Sequence, residues 1–466
     1  IAPDDILAVR IVRRALDARR YRGAPLAFLY TLDVRIEGSK KKLLARLRRA
    51  RHVALAEKEA KLDLARFSPL APGEARPVVV GFGPAGMFAA LTLARAGLSP
   101  LVLERGYDVE ARHAAIERFW QTGTLDVRSN VQFGEGGAGT FSDGKLTTRI
   151  GDSLVSEVLD AFVAAGAPEE IKYLHKPHVG TDRLISIVTA MREEILRLGG
   201  EVRFSSRAAD FCVEADKLSA VLVERADGTR YELKTEVLIA ATGHSARDTF
   251  RVLASRGFSM EAKAFAVGFR VQHRQRDISL SQYGEREADF LPPAPYKLAA
   301  KTSVGRGVYS FCMCPGGFVV NASSEVGGTV VNGMSYADRG SENANAAIIV
   351  SVTPEDFQRY GTGALAGLAF QEELEKRAFL AGQGKIPVQL YGDFLSGRES
   401  QSFGGIQPCF AGQYRFSRLN GILDAPLETA FVEGMTRFGR QIKGFDAPEV
   451  ILAGVESRTS SPVRIF

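Results

Sequence analysis

The alternation of apolar and polar positions predicts a small N-terminal unit followed by a long series of strands and helices. Leu26–Ile36 alternates as a strand does, and Ser39 precedes the basic amphipathic stretch KKLLARLRRA, which we expect it to cap as a helix. Ser68–Pro77 holds three prolines and a glycine, as linkers often do. We therefore predict a small α+β domain over residues 1–70 and a linker over 71–77.

A βαβ unit is predicted directly after the linker. Val78–Val80 and Leu101–Leu103 are continuous apolar runs, as expected of buried strands. Met87–Ala96, which lies between them, has helical periodicity and ends at Gly97, a natural helix terminator.

A helix and a β-meander are predicted farther along. Thr181 with Asp182 is expected to cap a helix running to about Leu198, and an Asp227–Gly228 turn predicts a hairpin. The predicted strands of this region are Glu201–Phe204, Ala209–Val213, Leu218–Arg225, Thr229–Leu233 and Glu236–Ala241.

From residue 262 onwards, short strands and glycine-rich turns continue to Val352, and helical stretches follow near Ala364–Leu380 and Leu427–Ile442. This pattern predicts an inserted α+β cap over residues 262–442, between an α/β domain over 78–261 and a returning segment over 443–466. Val450–Leu452 is expected to rejoin the first domain as a further strand.

Composition and charge place the chain among ordinary globular proteins. Its 466 residues accommodate two or three domains, and 45% are hydrophobic and 24% charged. The net charge of +6 is uneven, because residues 1–70 hold 17 Lys and Arg against 8 Asp and Glu, whereas the rest holds 43 against 46. The basic excess favours a nucleic acid or an acidic partner, or it forms a solvated helical face.

The expected compartment is the cytoplasm. No apolar run is long enough to span a bilayer, and the start IAPDDILAVR lacks the features of a signal peptide. The first residue is not Met, so we expect that some N-terminal sequence is missing. Four cysteines without a CxxC pair favour reduced thiols over disulfides or a structural zinc site.

The strongest chemical motif is Gly81–Gly86, Gly-Phe-Gly-Pro-Ala-Gly, which matches the dinucleotide fingerprint G-x-G-x-x-G. Gly81 allows the tight turn, Gly83 lets a pyrophosphate approach, and Gly86 permits close helix–strand packing. The following helix N-terminus favours phosphate groups. Glu104, 23 residues after Gly81, favours ribose hydroxyls and would repel a 2′-phosphate, which disfavours NADP in this site.

Further features favour FAD over NAD. Ala241-Thr242-Gly243, at the end of a strand after a β-meander, resembles the second signature of FAD-binding flavoproteins. Arg207–Ala209 resembles the segment whose backbone contacts adenine, and Glu104-Arg105 resembles a pair common in that superfamily. Gly361–Gly367 lacks the spacing and the preceding strand of a second fingerprint, so NAD(P)H is expected to bind only transiently.

Longer strings carry a resemblance to one family. They are Gln132–Lys145 (QFGEGGAGTFSDGK), Pro177–Asp182 (PHVGTD), Phe311–Gly317 (FCMCPGG), Asn332–Ser335 (NGMS) and Glu456–Arg464 (ESRTSSPVR). Together they resemble, over nearly the whole chain, the FAD-dependent proteins labelled NAD(FAD)-utilizing dehydrogenases. The resemblance implies an α/β fold with a glutathione-reductase-type FAD-binding Rossmann domain, a β-meander, an inserted α+β cap and a small N-terminal α+β domain.

The resemblance also implies where FAD binds. Members of the family continue beyond the string that ends here at Phe466 into a segment whose helix faces the flavin, so we expect that a C-terminal FAD segment is missing. The expected FAD-binding residues are Gly81, Phe82, Gly83, Pro84, Ala85, Gly86, Glu104, Arg105, Arg112, Gly134, Gly136, Gly137, Ala138, Gly139, Thr140, Ala208, Thr242 and Gly243.

Four residues are candidates for the chemistry itself. Phe133–Lys145 holds five glycines, and the resemblance implies that this loop lines the flavin, where Lys145 would stabilise negative charge. Cys312 and Cys314 lie two apart in an apolar strand and so share a face; they either exchange electrons with the flavin or are small core residues. His178 is a candidate general acid or base, or it anchors the turn that follows it.

Other polar residues leave alternatives open. His175 and His178 are separated by Pro177, which argues against a metal pair, and no metal site is predicted. Arg247 either forms a salt bridge with Asp248 or contacts the cofactor. The hydroxyl and guanidinium groups of Arg458–Pro462 are expected to face the flavin or to hold an acidic substrate.

These motifs predict a flavoenzyme that passes hydride or electrons through FAD to or from a small-molecule substrate. Two alternatives remain: an FAD-dependent RNA-modifying enzyme, suggested by the basic residues 1–70, and a non-catalytic flavin-binding or redox-sensing protein.

Overall fold

The structure is a computed structural model that describes residues 5–18, 25–37, 47, 52–56, 61–71, 73–148, 150–215 and 217–466. In chain order, the strands are β1 Ile6–Asp17, β2 Ala27–Ile36, β3 Val78–Val80, β4 Leu101–Leu103, β5 Glu201–Arg203, β6 Ser206–Glu214, β7 Lys217–Arg225, β8 Arg230–Lys234, β9 Leu238–Ala240, β10 Met260–Ala262, β11 Phe265–Arg274, β12 Ala299–Lys301, β13 Gly307–Cys314, β14 Phe318–Asn321, β15 Val331–Met334, β16 Asn343–Val352, β17 Ile386–Leu390, β18 Phe410–Ala411, β19 Tyr414–Phe416, β20 Ile451–Glu456 and β21 Val463–Ile465.

The α-helices, in the same order, are α1 Pro84–Arg95, α2 Val109–Thr122, α3 Leu154–Ala164, α4 Thr181–Arg197, α5 Arg247–Ser255, α6 Gln275–Tyr283, α7 Pro354–Phe357, α8 Ala366–Gly382, α9 Tyr391–Ser396 and α10 Ala425–Gly439. Within the described ranges, every helix is too short or too polar to cross a membrane.

The chain divides into two compact units. The first comprises Ile1–Leu64 and Lys145–Val179, and the second comprises Ala65–Gly144 and Gly180–Phe466. The sequence patterns do not indicate that residues 145–179 group with the N-terminal residues, and the predicted domain boundaries stay predictions.

The first unit contains the antiparallel hairpin of β1 and β2. The strand predicted over Leu26–Ile36 is confirmed as β2. β1 was not predicted, because its arginines interrupt the apolar alternation. Arg14 joins the hairpin to the second segment of this unit, since its N–H donates to Tyr173 O and its carbonyl accepts from His175 N. The helix predicted after Ser39 lies outside the described residues, and nucleic-acid binding by residues 1–70 stays a prediction.

A parallel sheet and a meander form one part of the second unit. The parallel sheet has the order β5-β4-β3-β9, and α1 connects β3 to β4 as the βαβ pattern predicts. β6, β7 and β8 form an antiparallel meander that turns at Asp227–Gly228, where Gly228 has φ +84°. Val80, Leu103, Val221 and Val223 are buried in one core that joins sheet and meander. The fold is therefore mixed α/β with a parallel sheet.

The remainder of the second unit is built on larger, mixed sheets. A seven-stranded sheet has the order β12-β13-β16-β11-β20-β17-β19, and a three-stranded sheet has the order β15-β14-β18. Val450–Leu452 was expected to rejoin the first domain as a further strand; a strand, β20, does form here, but it is buried between β11 and β17 of the seven-stranded sheet and does not pair with the parallel sheet. An apolar run demands burial between neighbours but does not specify which sheet provides them.

The start of α4 also differs from the prediction. Gly180, with φ +89°, is the N-cap, and Thr181 is the first helical residue. The Thr181 hydroxyl donates to Ser142 O at 2.7 Å instead of capping the helix. Thr181 therefore fixes α4 to the end of the glycine-rich loop.

Candidate functional site

The glycine-rich turn lies between β3 and α1. Gly81 has φ +96°, and a Cβ there would collide with the carbonyl of Ala241. A Cβ at Gly86 would collide with the carbonyl of Gly81, so the fingerprint glycines at both positions are sterically required. Gly83 is the N-cap of α1 and supplies no side-chain cap, which leaves the first-turn N–H groups available to a ligand.

Glu104 connects three backbone segments. Its Oε2 accepts from Phe82 N at 2.8 Å, and its Oε1 accepts from Gly106 N at 2.9 Å and from Gly134 N at 3.0 Å. A carboxylate has about four acceptor positions, so one remains for a further donor such as a ribose hydroxyl.

The Arg112 side chain holds the backbone of the glycine-rich loop in place. Its guanidinium is fully buried and donates to the carbonyls of Asn130, Val131, Gly134 and Glu135. Burial lowers the pKa of Arg112 to about 9, against the opposing effect of Glu104 and Glu135. These bonds fix the backbone of the loop, so the structure favours an indirect role for Arg112.

Two further segments approach this loop. Gly136 N donates to Phe82 O at 2.8 Å, which ties the loop to the glycine-rich turn. Ser245, just beyond the Thr242–Gly243 turn, donates from its hydroxyl to Gln132 Oε1 at 3.0 Å. The turn, the loop and the segment after β9 therefore form one connected wall.

Arg105 and Arg207 are held by one carboxylate. Asp248 accepts from Arg105 Nη2 at 2.9 Å and from Arg207 Nη1 at 3.0 Å. Burial alone would raise the pKa of Asp248, but Arg105 and Arg207 lower it overall. The Arg105 guanidinium also lies 4.4 Å from the centre of the Phe133 ring.

These elements enclose an open cavity of about 550 Å³, a size typical of small-molecule and cofactor sites. Of the predicted cofactor residues, those in its wall are Gly81, Phe82, Gly83, Pro84, Ala85, Glu104, Arg105, Gly134, Gly137, Ala138, Gly139, Ala208, Thr242 and Gly243. Gly86, Arg112, Gly136 and Thr140 are not among the wall residues, and for these four a direct contact with the cofactor stays a prediction.

A buried ion cluster lies beside this wall. Glu375 accepts from Arg247 Nη2 at 2.7 Å and from Arg458 Nη2 at 2.7 Å, and all three side chains are at most 4% exposed. The suggested Arg247–Asp248 salt bridge is wrong, because Arg247 pairs with Glu375 and with Glu325. Arg458 is likewise neutralised, so its guanidinium offers no free charge to an acidic substrate.

The predicted catalytic residues lie in different parts of the fold. Lys145 and His178 belong to the first unit, where their backbones form an isolated antiparallel bridge. Cys312 and Cys314 lie in β13, where a bulge interrupts the alternation that would put both thiols on one face, and Cys312 has φ +43°. Neither cysteine belongs to the cavity wall. The catalytic roles of all four stay predictions.

Comparison with known proteins identifies the family. A family model described as "FAD-dependent protein, C-terminal domain-like" matches residues 264–459. An uncharacterized protein of Clostridium beijerinckii is 46% identical over 469 residues, which cover 100% of this chain and 86% of that protein. Residues 264–459 therefore belong to this family of FAD-dependent proteins, and the whole chain belongs to the same family as the Clostridium beijerinckii protein.

More distant likenesses concern enzymes. Tetracenomycin B2 monooxygenase-dioxygenase of Streptomyces olivaceus is 35% identical over 94 residues, which are 20% of this chain and 16% of that protein. The flavin-dependent brominase Bmp2 matches 61% of this chain and 57% of its own chain at 14% identity and a TM-score of 0.33. Both matches span less than two thirds of the enzyme concerned, and neither specifies a reaction for this family member.

The cavity has the donor set that FAD requires. The N-terminus of α1 offers N–H groups and a partial positive charge suited to a pyrophosphate. A Cβ added to Gly83 would lie 3.6 Å from Gly137 Cα, so bare backbone borders the space between turn and loop. Glu104 keeps one acceptor position for a hydroxyl. The residues present therefore fit the cofactor of the family.

Several wall residues were missed by sequence reasoning. They are Gln132, His244, Ser245, Thr249, Phe250, Leu253, Val463 and Ile465, among others, whereas Phe133 and Arg207 lie in segments that were expected to contact the cofactor. Ser461 lies in the Arg458–Pro462 string that was expected to face the flavin, and it is part of the wall. Thr249, Phe250 and Leu253 lie in α5, and Val463 and Ile465 lie in β21, so their place in the wall depends on how these two elements pack, which no local pattern indicates.

Proposed function

We propose that this FAD-dependent protein is an oxidoreductase that holds FAD in the cavity of its second unit and transfers hydride or electrons to or from a small-molecule substrate. The observation that carries the proposal is the convergence of Gly81–Ala85, Glu104, Gly137–Gly139 and the Thr242–Gly243 turn on one cavity. Membership of the FAD-dependent family supports the choice of cofactor.

Each segment has a role that follows from its chemistry. The N–H groups at the start of α1 bind the pyrophosphate, and Glu104 accepts from a ribose hydroxyl. The backbone at Ala208 borders the adenine, and the loop from Gly134 excludes water beside the flavin. When bound, FAD supplies the hydride- or electron-transfer chemistry, while the protein orients it and sets its electrostatic surroundings.

The electron donor and the substrate belong to the same proposal. NADH or NADPH reduces the flavin from a transient site, in a dehydrogenase-type reaction. Lys145, His178, Cys312 and Cys314 remain the candidates for stabilising charge, moving a proton or exchanging electrons. Lys145→Met, His178→Gln, Cys312→Ser and Cys314→Ser test these roles one residue at a time. Substitution of a catalytic residue is expected to change the rate of flavin reduction without changing the affinity for FAD.

The test begins with FAD binding to the purified protein, followed by visible absorption after removal of free cofactor. The control is Gly83→Val, because its side chain would fill the space beside Gly137. We expect flavin bands with the wild type and their loss in Gly83→Val at an unchanged melting temperature. Absence of bound flavin in the wild type would overturn the proposal.

The redox step is tested by anaerobic titration of the FAD-loaded protein with NADH and with NADPH. Bleaching of the flavin bands by either nucleotide is the expected result. Bound FAD that resists both nucleotides and a small dithiol would contradict the oxidoreductase function and favour a non-catalytic flavin-binding protein.

A further inference from the structure

His244 follows the Thr242–Gly243 turn and forms part of the cavity wall. Its Nε2 lies 2.9 Å from the backbone oxygen of Arg458. A carbonyl oxygen can only accept a hydrogen bond, so Nε2 must carry a proton. In the neutral ring, Nδ1 then has a lone pair and acts as an acceptor.

The carbonyl that sets this tautomer is held rigidly. The Arg458 side chain is 4% exposed and donates to both oxygens of Glu375 and, at 2.7 Å, to Ser324 Oγ. The adjacent Ser457 hydroxyl also donates to Glu375, at 2.6 Å. His244 therefore joins the wall after β9 to a segment whose continuation contributes Ser461, Val463 and Ile465 to the wall.

The surroundings of His244 also favour the neutral form of its ring. Burial lowers the pKa of His244, and the nearby Arg458 and Arg247 cations lower it further, against the opposing hydrogen bond to the Arg458 carbonyl. Within the described part of the chain, the only hydrogen bond of the ring is the one at Nε2. Nδ1 of this cavity-wall residue therefore has no hydrogen-bond donor among the described residues.

We propose that His244 Nδ1 accepts a hydrogen bond from an O–H or N–H group of the bound cofactor, an inference that rests on the proposed binding of FAD in this cavity. An imidazole lone pair repels phosphate and carboxylate oxygens, so His244 selects a neutral donor group at this point of the wall. FAD carries such donors on its ribityl chain and on its ring system.

His273 is a matched control. Its Nε2 lies 2.9 Å from the backbone oxygen of Phe445, the same arrangement as in His244, and among the residues that the structure describes its Nδ1 likewise has no hydrogen-bond partner. However, His273 lies in β11 and is not part of the cavity wall. A glutamine at either position can still donate from its amide to the carbonyl but lacks the acceptor at Nδ1.

The experiment measures the Kd for FAD and the melting temperature without FAD for the wild type, His244→Gln and His273→Gln. We expect His244→Gln to raise the Kd roughly tenfold, the effect of losing one hydrogen bond, with a melting temperature close to that of the wild type. His273→Gln is expected to leave the Kd unchanged. An unchanged Kd in His244→Gln would overturn the inference, whereas failure of the wild type to bind FAD would overturn the proposed function itself.

A second pair of variants tests the inference if His244→Gln does not fold. His244→Asn places an amide oxygen near the position of Nδ1, so its Kd for FAD is expected to be close to that of the wild type. His244→Ala has no side-chain acceptor, so its affinity for FAD is expected to fall. Equal losses of affinity in His244→Asn and His244→Ala would contradict a role for the acceptor.

Discussion

The Glu104 carboxylate accepts a hydrogen bond from the backbone N–H of Gly134 at 3.0 Å, across 30 positions of sequence. This bond fixes the start of the glycine-rich loop to the end of β4. Because Phe82 N and Gly106 N donate to the same carboxylate, Glu104 organises the cavity before any ligand binds. The fingerprint acid therefore has a structural role beside its expected contact with ribose.

Glu104→Gln tests this structural role. The amide retains one oxygen, but its NH2 group must face a backbone N–H that needs an acceptor, so at least one buried donor loses its partner. We expect a loss of about 1–3 kcal/mol in the free energy of unfolding and weaker FAD binding. Urea unfolding measures the change in the free energy of unfolding, and fluorescence titration measures the change in FAD affinity. Glu232→Gln, at an exposed position of the meander, should change neither; a wild-type stability for Glu104→Gln would refute the role.

Gly137 and Gly139 lie in one 3₁₀ turn but differ in their need for glycine. Gly137 has φ +61°, and a Cβ there would lie 2.9 Å from Gly83 Cα. At Gly139 the nearest atom would be Pro84 Cγ at an ordinary 3.6 Å. Gly137→Ala is therefore expected to lower stability by about 1–3 kcal/mol and to separate loop from turn, whereas Gly139→Ala stays near the wild type. Thermal unfolding of both variants tests this difference. Equal melting temperatures for Gly137→Ala and Gly139→Ala would contradict the close approach of Gly137 to Gly83.

The local part of the cavity could be predicted from sequence. Val78–Val80, the glycine fingerprint and Leu101–Leu103 succeed one another within 26 residues, and each has a strong pattern of its own. Gly86 is required by its contact with Gly81 inside the strand–turn–helix, whereas Gly81 is required by its φ of +96° and by the carbonyl of Ala241 at the end of the neighbouring β9. The order of strands around β3 then places Glu104 beside the turn.

Long-range partners could not be predicted. His244 forms a hydrogen bond with Arg458 across 214 positions of sequence, and Arg247 forms an ion pair with Glu375 across 128 positions. The local sequence around His244 or Arg247 contains no pattern that indicates these distant partners. The neighbouring Asp248 was the obvious local partner for Arg247. In the folded chain the side chains of Arg247 and Asp248 have different partners. Asp248 forms ion pairs with Arg105 and Arg207, whereas Arg247 is buried and pairs with Glu375 of α8.

Glu375 is expected to be essential for stability. Burial alone would raise its pKa, but Arg458 and Arg247 hold the pKa of this carboxyl well below its usual range. Glu375→Gln would remove the buried counter-ion that Arg247 and Arg458 share and leave them only the more exposed Glu325, so we expect a loss of about 3–5 kcal/mol, measured by urea unfolding.

Glu373 on the same helix provides the comparison. It pairs with Arg377 four residues on, at a partly exposed position where such pairs contribute only about 0.3–0.5 kcal/mol. If Glu373→Gln and Glu375→Gln were equally destabilising, the buried cluster would not be the source of the effect.

Glu135 makes the stability of the second unit depend on pH. Its side chain is fully buried, and burial raises its pKa from 4.5 to about 7, against the opposing effects of the Val109 N–H and of Arg192. The Arg192 Nε atom is 3.2 Å from Oε1 but is not aligned for a hydrogen bond, which limits its compensation. Between pH 4.5 and about 7, the carboxyl group of Glu135 has lost its proton in the unfolded chain but retains it in the folded chain. The contribution of Glu135 to the free energy of unfolding is therefore fully present below pH 4.5 and is lost as the pH rises through about 7.

Glu135→Gln removes this pH dependence. The free energy of unfolding of this variant should therefore gain about 2–3 kcal/mol relative to the wild type between acidic and neutral pH. Urea unfolding at intervals from acidic to neutral pH measures the difference, with Glu193→Gln at an exposed position of α4 as the control. A constant difference between Glu135→Gln and the wild type over this range would show that Glu135 titrates normally in the folded chain.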